Sequence, residues 1–104
     1  MNRSKTIHEL TNILAIALRH KIGSIVNQNE IYAQKYAKDS EILLKQAEKI
    51  VRSKNWNSQD KEMIKEELKK KLSIELEKKP FLDIKKFDVM ENEISNALKM
   101  LNLN

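Results

Sequence analysis

The chain has no cysteine, and only one glycine and one proline, among its 104 residues. The absence of cysteine excludes disulfide bonds, thiolate metal sites and a cysteine nucleophile, and it fits a reducing compartment. A single glycine cannot build the glycine-rich loop that holds nucleotide phosphates. With so few turn-forming residues, a composition rich in Lys, Glu, Leu and Ile favours helices over sheets.

Aromatic residues and long apolar runs are also scarce. Only 5% of the residues are aromatic, so we expect a mainly aliphatic core. The uninterrupted apolar run over residues 13–18 is much too short to span a bilayer. His8, Glu9 and Asn12 interrupt any signal-peptide pattern near the first residue. We therefore expect a soluble cytoplasmic protein without a membrane segment.

The net charge of +5 is unevenly distributed. Residues 1–52 contain nine Lys or Arg against five Asp or Glu, whereas residues 53–104 contain eleven against ten. The lysine clusters at 69–71, 78–79 and 85–86 have acidic residues between them. Because these acids weaken the positive field that a phosphate backbone needs, nucleic acid is not an expected partner.

Apolar periodicity predicts four helices, over about residues 5–26, 30–53, 58–79 and 88–102. The first helix has one apolar stripe, formed by Ile7, Leu10, Leu14, Leu18, Ile22 and Ile25. Ile13 and Ile16 lie off this stripe, so the first helix should be buried on two sides. The third and fourth helices have narrower stripes, formed by Ile64, Leu68, Leu72 and Leu76 and by Met90, Ile94, Ala97, Leu98 and Leu101.

The second helix carries small and large apolar residues on one side. Its outer face has alternating charges, so we expect that face to be exposed to solvent. Capping patterns predict three helix starts: the first at Ser4, or at Thr6 with Glu9; the second at Asn57 or Ser58; and the third at Asp88 with Glu91. Pro80 should end the third helix, and the last helix should fray at Leu103. Residues 27–29 are expected to form a short turn, and residues 81–84 an apolar linker.

These elements predict an all-α, four-helix-bundle-like fold in a single domain over residues 1–104. A short turn makes the first two helices a long antiparallel αα-hairpin, on which the second helical pair packs. Either that pair or a second copy of the chain should cover Ile13 and Ile16. A C2 homodimer, in which two hairpins join into a four-helix bundle, is one such arrangement.

One motif in the first helix points to chemistry. The segment His8-Glu9-Leu10-x-Asn12-x-Leu14 resembles the H-box of the dimerisation and histidine phosphotransfer domains of sensor histidine kinases. A helical hairpin follows it, as in that family, so that the resemblance covers residues 6–53. It implies that His8 accepts a phosphoryl group, that Glu9 orients the imidazole, and that Asn12 positions a water molecule or the partner's aspartate.

Two functional interpretations follow. The first is a non-enzymatic, regulatory helical module for protein–protein interaction or dimerisation. The second is a phosphotransfer protein that exchanges a phosphoryl group between His8 and a receiver domain. In the first interpretation, His8 is an ordinary surface histidine. His20 is also expected to be an exposed histidine without a chemical role. Neither interpretation requires a metal ion or a cofactor.

Overall fold

The central helix, α1, spans Arg3–Val26. The computed structural model describes residues 3–26, 30–79 and 85–104. Along α1 the apolar stripe forms the middle of the core, with Leu10, Leu14 and Leu18 fully buried. Each of the other described helices contacts α1. The fold is therefore organised around this one helix.

The other helices are α2 (Glu30–Arg52), α3 (Ser58–Glu77), α4 (Lys85–Asp88) and α5 (Met90–Met100). The predicted all-α, four-helix-bundle-like fold is confirmed. Within the described ranges, no helix is both long enough and apolar enough to cross a bilayer. The predicted turn at residues 27–29 and the linker at residues 81–84 lie outside the described residues.

α3 and α5 complete the core beside α1. The predicted stripe of α3 is fully buried, and α5 contributes Ile94, Ala97 and Leu98. An ion pair of 2.9 Å between Lys21 Nζ and Glu93 Oε1 joins α1 to α5. These contacts make α1, α3 and α5 the structural centre of the protein.

α2 packs differently from α3. Among the described helices, α2 contacts only α1. Its buried residues are small, Ser40 and Ala47, and its larger apolar residues Leu44, Ile50 and Val51 are half-buried. α2 therefore covers one side of α1 and leaves most of its own surface in solvent.

The start of α3 is capped as predicted. Asn57 Oδ1 accepts a hydrogen bond of 2.8 Å from the backbone N–H of Asp60, and Asp60 Oδ2 accepts one of 3.1 Å from the N–H of Asn57. These two bonds form a capping box. The guanidinium of Arg3 also binds the buried Asp60 carboxylate, which joins the start of α1 to the start of α3.

The two other predicted caps are wrong. α1 begins at Arg3, so Ser4, Thr6 and Glu9 lie inside the helix and Thr6 is buried. Asp88 is the last residue of α4, and α5 begins after Val89, which has no side-chain cap. Val89 has φ −94° and ψ −9°, whereas a capping residue normally has an extended backbone.

The end of α5 is ordered rather than frayed. Asn102 has a φ of 59°, in the left-handed region. The N–H of Leu103 donates to the carbonyl of Leu98 at 2.8 Å, and that of Asn102 to the carbonyl of Lys99 at 3.1 Å. This pair of bonds is a Schellman motif, and it buries Leu103 in the core.

The stripe of α1 also differs from the prediction at its end. Ile25 is 49% exposed, whereas Val26 is buried. From Leu18 onward the buried residues follow steps of four, through Ile22 to Val26, and each such step rotates the stripe by about 40° around the helix. Ile25 therefore falls beside the buried stripe. Ile13 packs partly buried against the core, and Ile16 is half-buried.

Candidate functional site

His8 lies on the exposed edge of the seam between α1 and α3. Its side chain is 64% exposed. Its ring nitrogen Nδ1 is 3.4 Å from Glu67 Oε1 and 3.1 Å from Lys71 Nζ. The imidazole therefore contacts one acidic and one basic side chain of α3, and both contacts use the same nitrogen.

Lys71 is held in place by several acceptors. Its ammonium donates to Thr11 Oγ1 at 2.6 Å and to the backbone carbonyl of His8 at 3.0 Å. Glu67 Oε1 lies 3.4 Å from the same ammonium. Thr11 is itself fixed, because its hydroxyl donates to the carbonyl of Ile7 at 2.9 Å. A positive charge is thus anchored directly beside the exposed ring.

Each of the two neutral tautomers of His8 makes one of these two contacts a hydrogen bond, and the tautomers differ in reactivity. If Nδ1 carries the proton, it donates to Glu67 and leaves the lone pair of Nε2 on the exposed side of the ring. If Nδ1 instead accepts from Lys71, the proton lies on Nε2, which is then not nucleophilic. The first tautomer is therefore the one that can attack an electrophile through Nε2.

The three residues of the predicted phosphotransfer motif are all exposed on α1. Glu9 is exposed, and its side chain makes no hydrogen bond or ion pair with the residues that the structure describes. Glu67 occupies the position beside the imidazole that the resemblance assigns to Glu9. Asn12 is exposed one turn beyond His8, at a cavity of about 340 Å³ between α1 and α3 that Ile16 and Ile74 also line.

His20 is not the exposed histidine that its position predicts. Its side chain is only 17% exposed and lies between α1 and α2. Nδ1 is 2.9 Å from the carbonyl of Ile16, and the ring contacts Tyr36 at 5.8 Å between centroids. α1 remains helical through Gly23. The ring of Tyr36 packs against Gly23, and this close contact is possible because glycine has no side chain.

No metal centre is assembled by these residues. Within residues 3–26, 30–79 and 85–104, no group of three or more His, Cys, Asp or Glu side chains could hold a metal ion. His8 and His20 also lie on different sides of α1, since twelve residues separate them.

A second candidate surface lies on the outer side of α2. We call it the α2 outward stripe, and it consists of Ile31, Lys35, Lys38, Ile42, Lys45 and Lys49. All six side chains are exposed, Ile31 by 77% and Ile42 by 51%. Their spacing alternates between four and three residues, which keeps them on one face of a helix.

The α2 outward stripe carries charge of one sign. Lys35, Lys38 and Lys49 have no ion-pair partner in the described part of the chain. Lys45 Nζ is 3.7 Å from Glu41 Oε1, but both side chains are about 70% exposed, so this pair contributes little. Glu41 and Glu48 lie on one flank of the stripe, outside it.

Sequence reasoning missed this surface because it read the charges of α2 in chain order, where acidic and basic residues alternate. The signal was present in the sequence as the four–three spacing of two isoleucines and four lysines. The structure supplies the remaining fact, which is that this face points away from α1. A search for charged residues that recur with the helical period, like the search for apolar residues, would have found the α2 outward stripe.

No protein-family model, curated protein or solved structure matches this chain. Its function must therefore be inferred from its own residues. The two surfaces that matter are the α1–α3 seam around His8 and the α2 outward stripe.

Proposed function

We propose that this chain is a regulatory helical module that binds another protein through α2. The observation that carries the proposal is the position of α2 at the edge of the core. α2 is 23 residues long and contacts only α1 among the described helices. It nevertheless exposes Ile31, Tyr32 and Ile42. A partner that covers these side chains would gain the free energy of removing them from water.

A groove beside α2 supports the same function. A cavity of about 360 Å³ opens between α2 and the end of α5. Its apolar lining includes Ala37, Leu44 and Met100, and Met100 is 61% exposed. Glu41, Lys45 and Glu48 also line this cavity, so it is a separate, partly apolar groove beside the exposed face of α2 that a partner could cover.

Site-specific photo-crosslinking in the source cells tests this proposal. A photoreactive amino acid at position 42 should give one discrete adduct, because a bound partner would lie against that position. The matched control is position 62 on α3, which is also exposed and should give no adduct. Mass spectrometry then identifies the partner for calorimetry with the purified chain.

The calorimetric result decides the proposal. Ile42→Ser should weaken binding of the identified partner while the melting temperature stays unchanged, because Ile42 is half exposed and outside the core. Equal affinity of the wild type and the variant, or no adduct at position 42, would refute the role of α2. An adduct of twice the chain mass would instead identify the predicted homodimer, which light scattering checks independently.

We propose histidine phosphotransfer as a second function, on the basis of the His8 geometry. The lone pair of Nε2 would form the nitrogen–phosphorus bond as the phosphorus–oxygen bond of an acyl phosphate breaks, and the carboxylate leaves with that electron pair. The Nδ1 proton would remain hydrogen-bonded to Glu67, and the ammonium of Lys71 lies beside the ring, where it can offset the added negative charge.

Incubation with acetyl phosphate, or with a phosphorylated receiver domain, tests the second function. An acid-labile phosphate should appear on the chain, His8→Gln should abolish it, and Glu67→Gln should slow its formation. His20→Gln is the matched control and should leave labelling unchanged, because that ring lies between α1 and α2. Labelling that persists in His8→Gln, or no labelling with any donor, would reject the mechanism.

A further inference from the structure

We infer that the partner of α2 is an acidic amphipathic helix, which lies along the α2 outward stripe. This inference rests on the proposed interaction function and specifies the chemistry of the partner. Three features of the stripe carry it: its length and spacing, the sign of its charge, and the residues on its flank.

The spacing of the stripe is that of a helix–helix seam. Residues at alternating steps of four and three form the contact line of one helix packed along another. From Ile31 to Lys49 the stripe is about 27 Å long, at 1.5 Å per residue. The two isoleucines lie eleven residues apart, so a partner helix could place one apolar side chain against each of them.

The charge of the stripe selects an acidic partner. Four of its six residues are lysines, and none is acidic. Carboxylates at the facing positions of a partner helix could pair with Lys35, Lys38, Lys45 and Lys49. Each exposed pair is weak on its own, but opposite charges across a seam select the partner and its register. The isoleucine contacts supply the apolar part of the affinity.

A second copy of the chain does not fit this face. In a parallel pairing of two α2 helices, each lysine would lie opposite the same lysine of the other copy. In an antiparallel pairing centred on the stripe, Lys35 would lie opposite Lys45. Both arrangements bring like charges together, which disfavours pairing.

A nucleic acid duplex fits the stripe less well than a helix. Glu41 is exposed and Glu48 is half-buried on the flank of the stripe. A duplex is wider than a single helix, so phosphates beside the lysines would also approach these carboxylates and be repelled. A partner helix can lie on the stripe alone, and its own flanking cations could pair with Glu41 and Glu48.

The test uses a designed helical peptide as the probe. The peptide has about 20 residues, enough to match the length of the stripe, with two leucines and four glutamates at four–three spacing. A fluorescent label reports its binding to the full chain by anisotropy. Two control peptides of the same design carry glutamine or lysine in place of the four glutamates.

The glutamate peptide should bind, the glutamine peptide should bind about tenfold more weakly, and the lysine peptide should not bind. Lys38→Glu should weaken binding of the glutamate peptide, and a peptide with one glutamate changed to lysine at the facing position should restore it. The matched control is Lys70→Glu on α3, which makes the same charge change at an exposed position and should have no effect.

Equal binding of the glutamate and glutamine peptides would overturn the inference, and so would equal effects of Lys38→Glu and Lys70→Glu. A short DNA duplex, or vesicles of phosphatidylserine, that bound more tightly than the glutamate peptide would overturn it as well. If the photo-crosslinked partner binds through a segment without acidic residues, the inference fails while the proposed interaction function stands. If position 42 gives no adduct, the function itself fails.

Discussion

α2 and α3 are helices of 23 and 20 residues that both pack on α1, yet they contribute very differently to the core. α3 places four large apolar residues in the interior, all fully buried. Among residues 31–52 of α2, only Ser40 and Ala47 are buried. Helix length and charge content therefore do not reveal whether a helix builds the core or presents a surface.

The physical difference lies in the size of the side chains that face α1. On α3 the residues at steps of four are Ile or Leu, so that each turn adds a large apolar side chain to the core. On α2 the most deeply buried positions hold Ser and Ala, and the ring of Tyr36 packs against Gly23. Small residues allow a close approach of the two helices but remove little apolar area from water.

Truncation of one leucine on each helix should give the largest difference between them. Leu72→Ala on α3 should lower the free energy of unfolding by about 3 kcal/mol, because Leu72 is fully buried and the change leaves a cavity. Leu44→Ala on α2 should cost about 1 kcal/mol, because Leu44 is half-buried beside an open groove. Urea unfolding followed by circular dichroism measures both.

Equal losses in the two variants would mean that α2 is as much a part of the core as α3. The urea dependence of the unfolding free energy is the control, because it should be the same for both variants if neither changes the compactness of the native state.

Removal of one charged partner on each helix should give a smaller difference. Asp60→Ala on α3 should cost about 2 kcal/mol, because it removes the bond that the Asp60 carboxylate accepts from the N–H of Asn57, one half of the capping box, and leaves Arg3 without its carboxylate. Glu48→Ala on α2 removes a pair with Arg52, whose side chain is 77% exposed, and should cost at most about 0.5 kcal/mol. Thermal unfolding at low and high salt measures both, and a larger loss for Glu48→Ala would reverse the comparison.

The parts of this fold that depend on local sequence could be predicted from it. Leu68 and its neighbours at steps of four follow directly from the helical period, and Asn57 was identifiable as a cap from its position before an apolar run. Ile25 was placed wrongly because the buried stripe turns around α1 as it follows steps of four. Leu103 was placed wrongly because the left-handed conformation of Asn102 closes the chain back onto α5.

The candidate site depends on contacts between distant parts of the chain, so less of it could be predicted. His8 was expected in solvent beside a carboxylate, but the carboxylate that contacts it is Glu67, 59 residues away. Nothing in the neighbourhood of His8 in the sequence indicates this pairing, because it depends on how α3 is positioned along α1. The spacing of the α2 outward stripe could be recognised in the sequence. Which face of α2 is exposed to solvent, however, depends on how α2 packs on α1.

The smallest of the expected effects concerns the contact of Gly23 with Tyr36, where α2 approaches α1 closely. A Cβ atom at position 23 would lie 3.0 Å from Tyr36 Cδ2, so Gly23→Ala forces the ring to shift. Alanine is favoured over glycine in a helix by about 1 kcal/mol, and this gain should be largely cancelled by the displaced ring. In a Tyr36→Ala background the ring is absent, and Gly23→Ala should then stabilise the chain by about 1 kcal/mol. A double-mutant cycle from urea unfolding measures this coupling, and an equal gain in both backgrounds would show that α2 does not hold Tyr36 against α1.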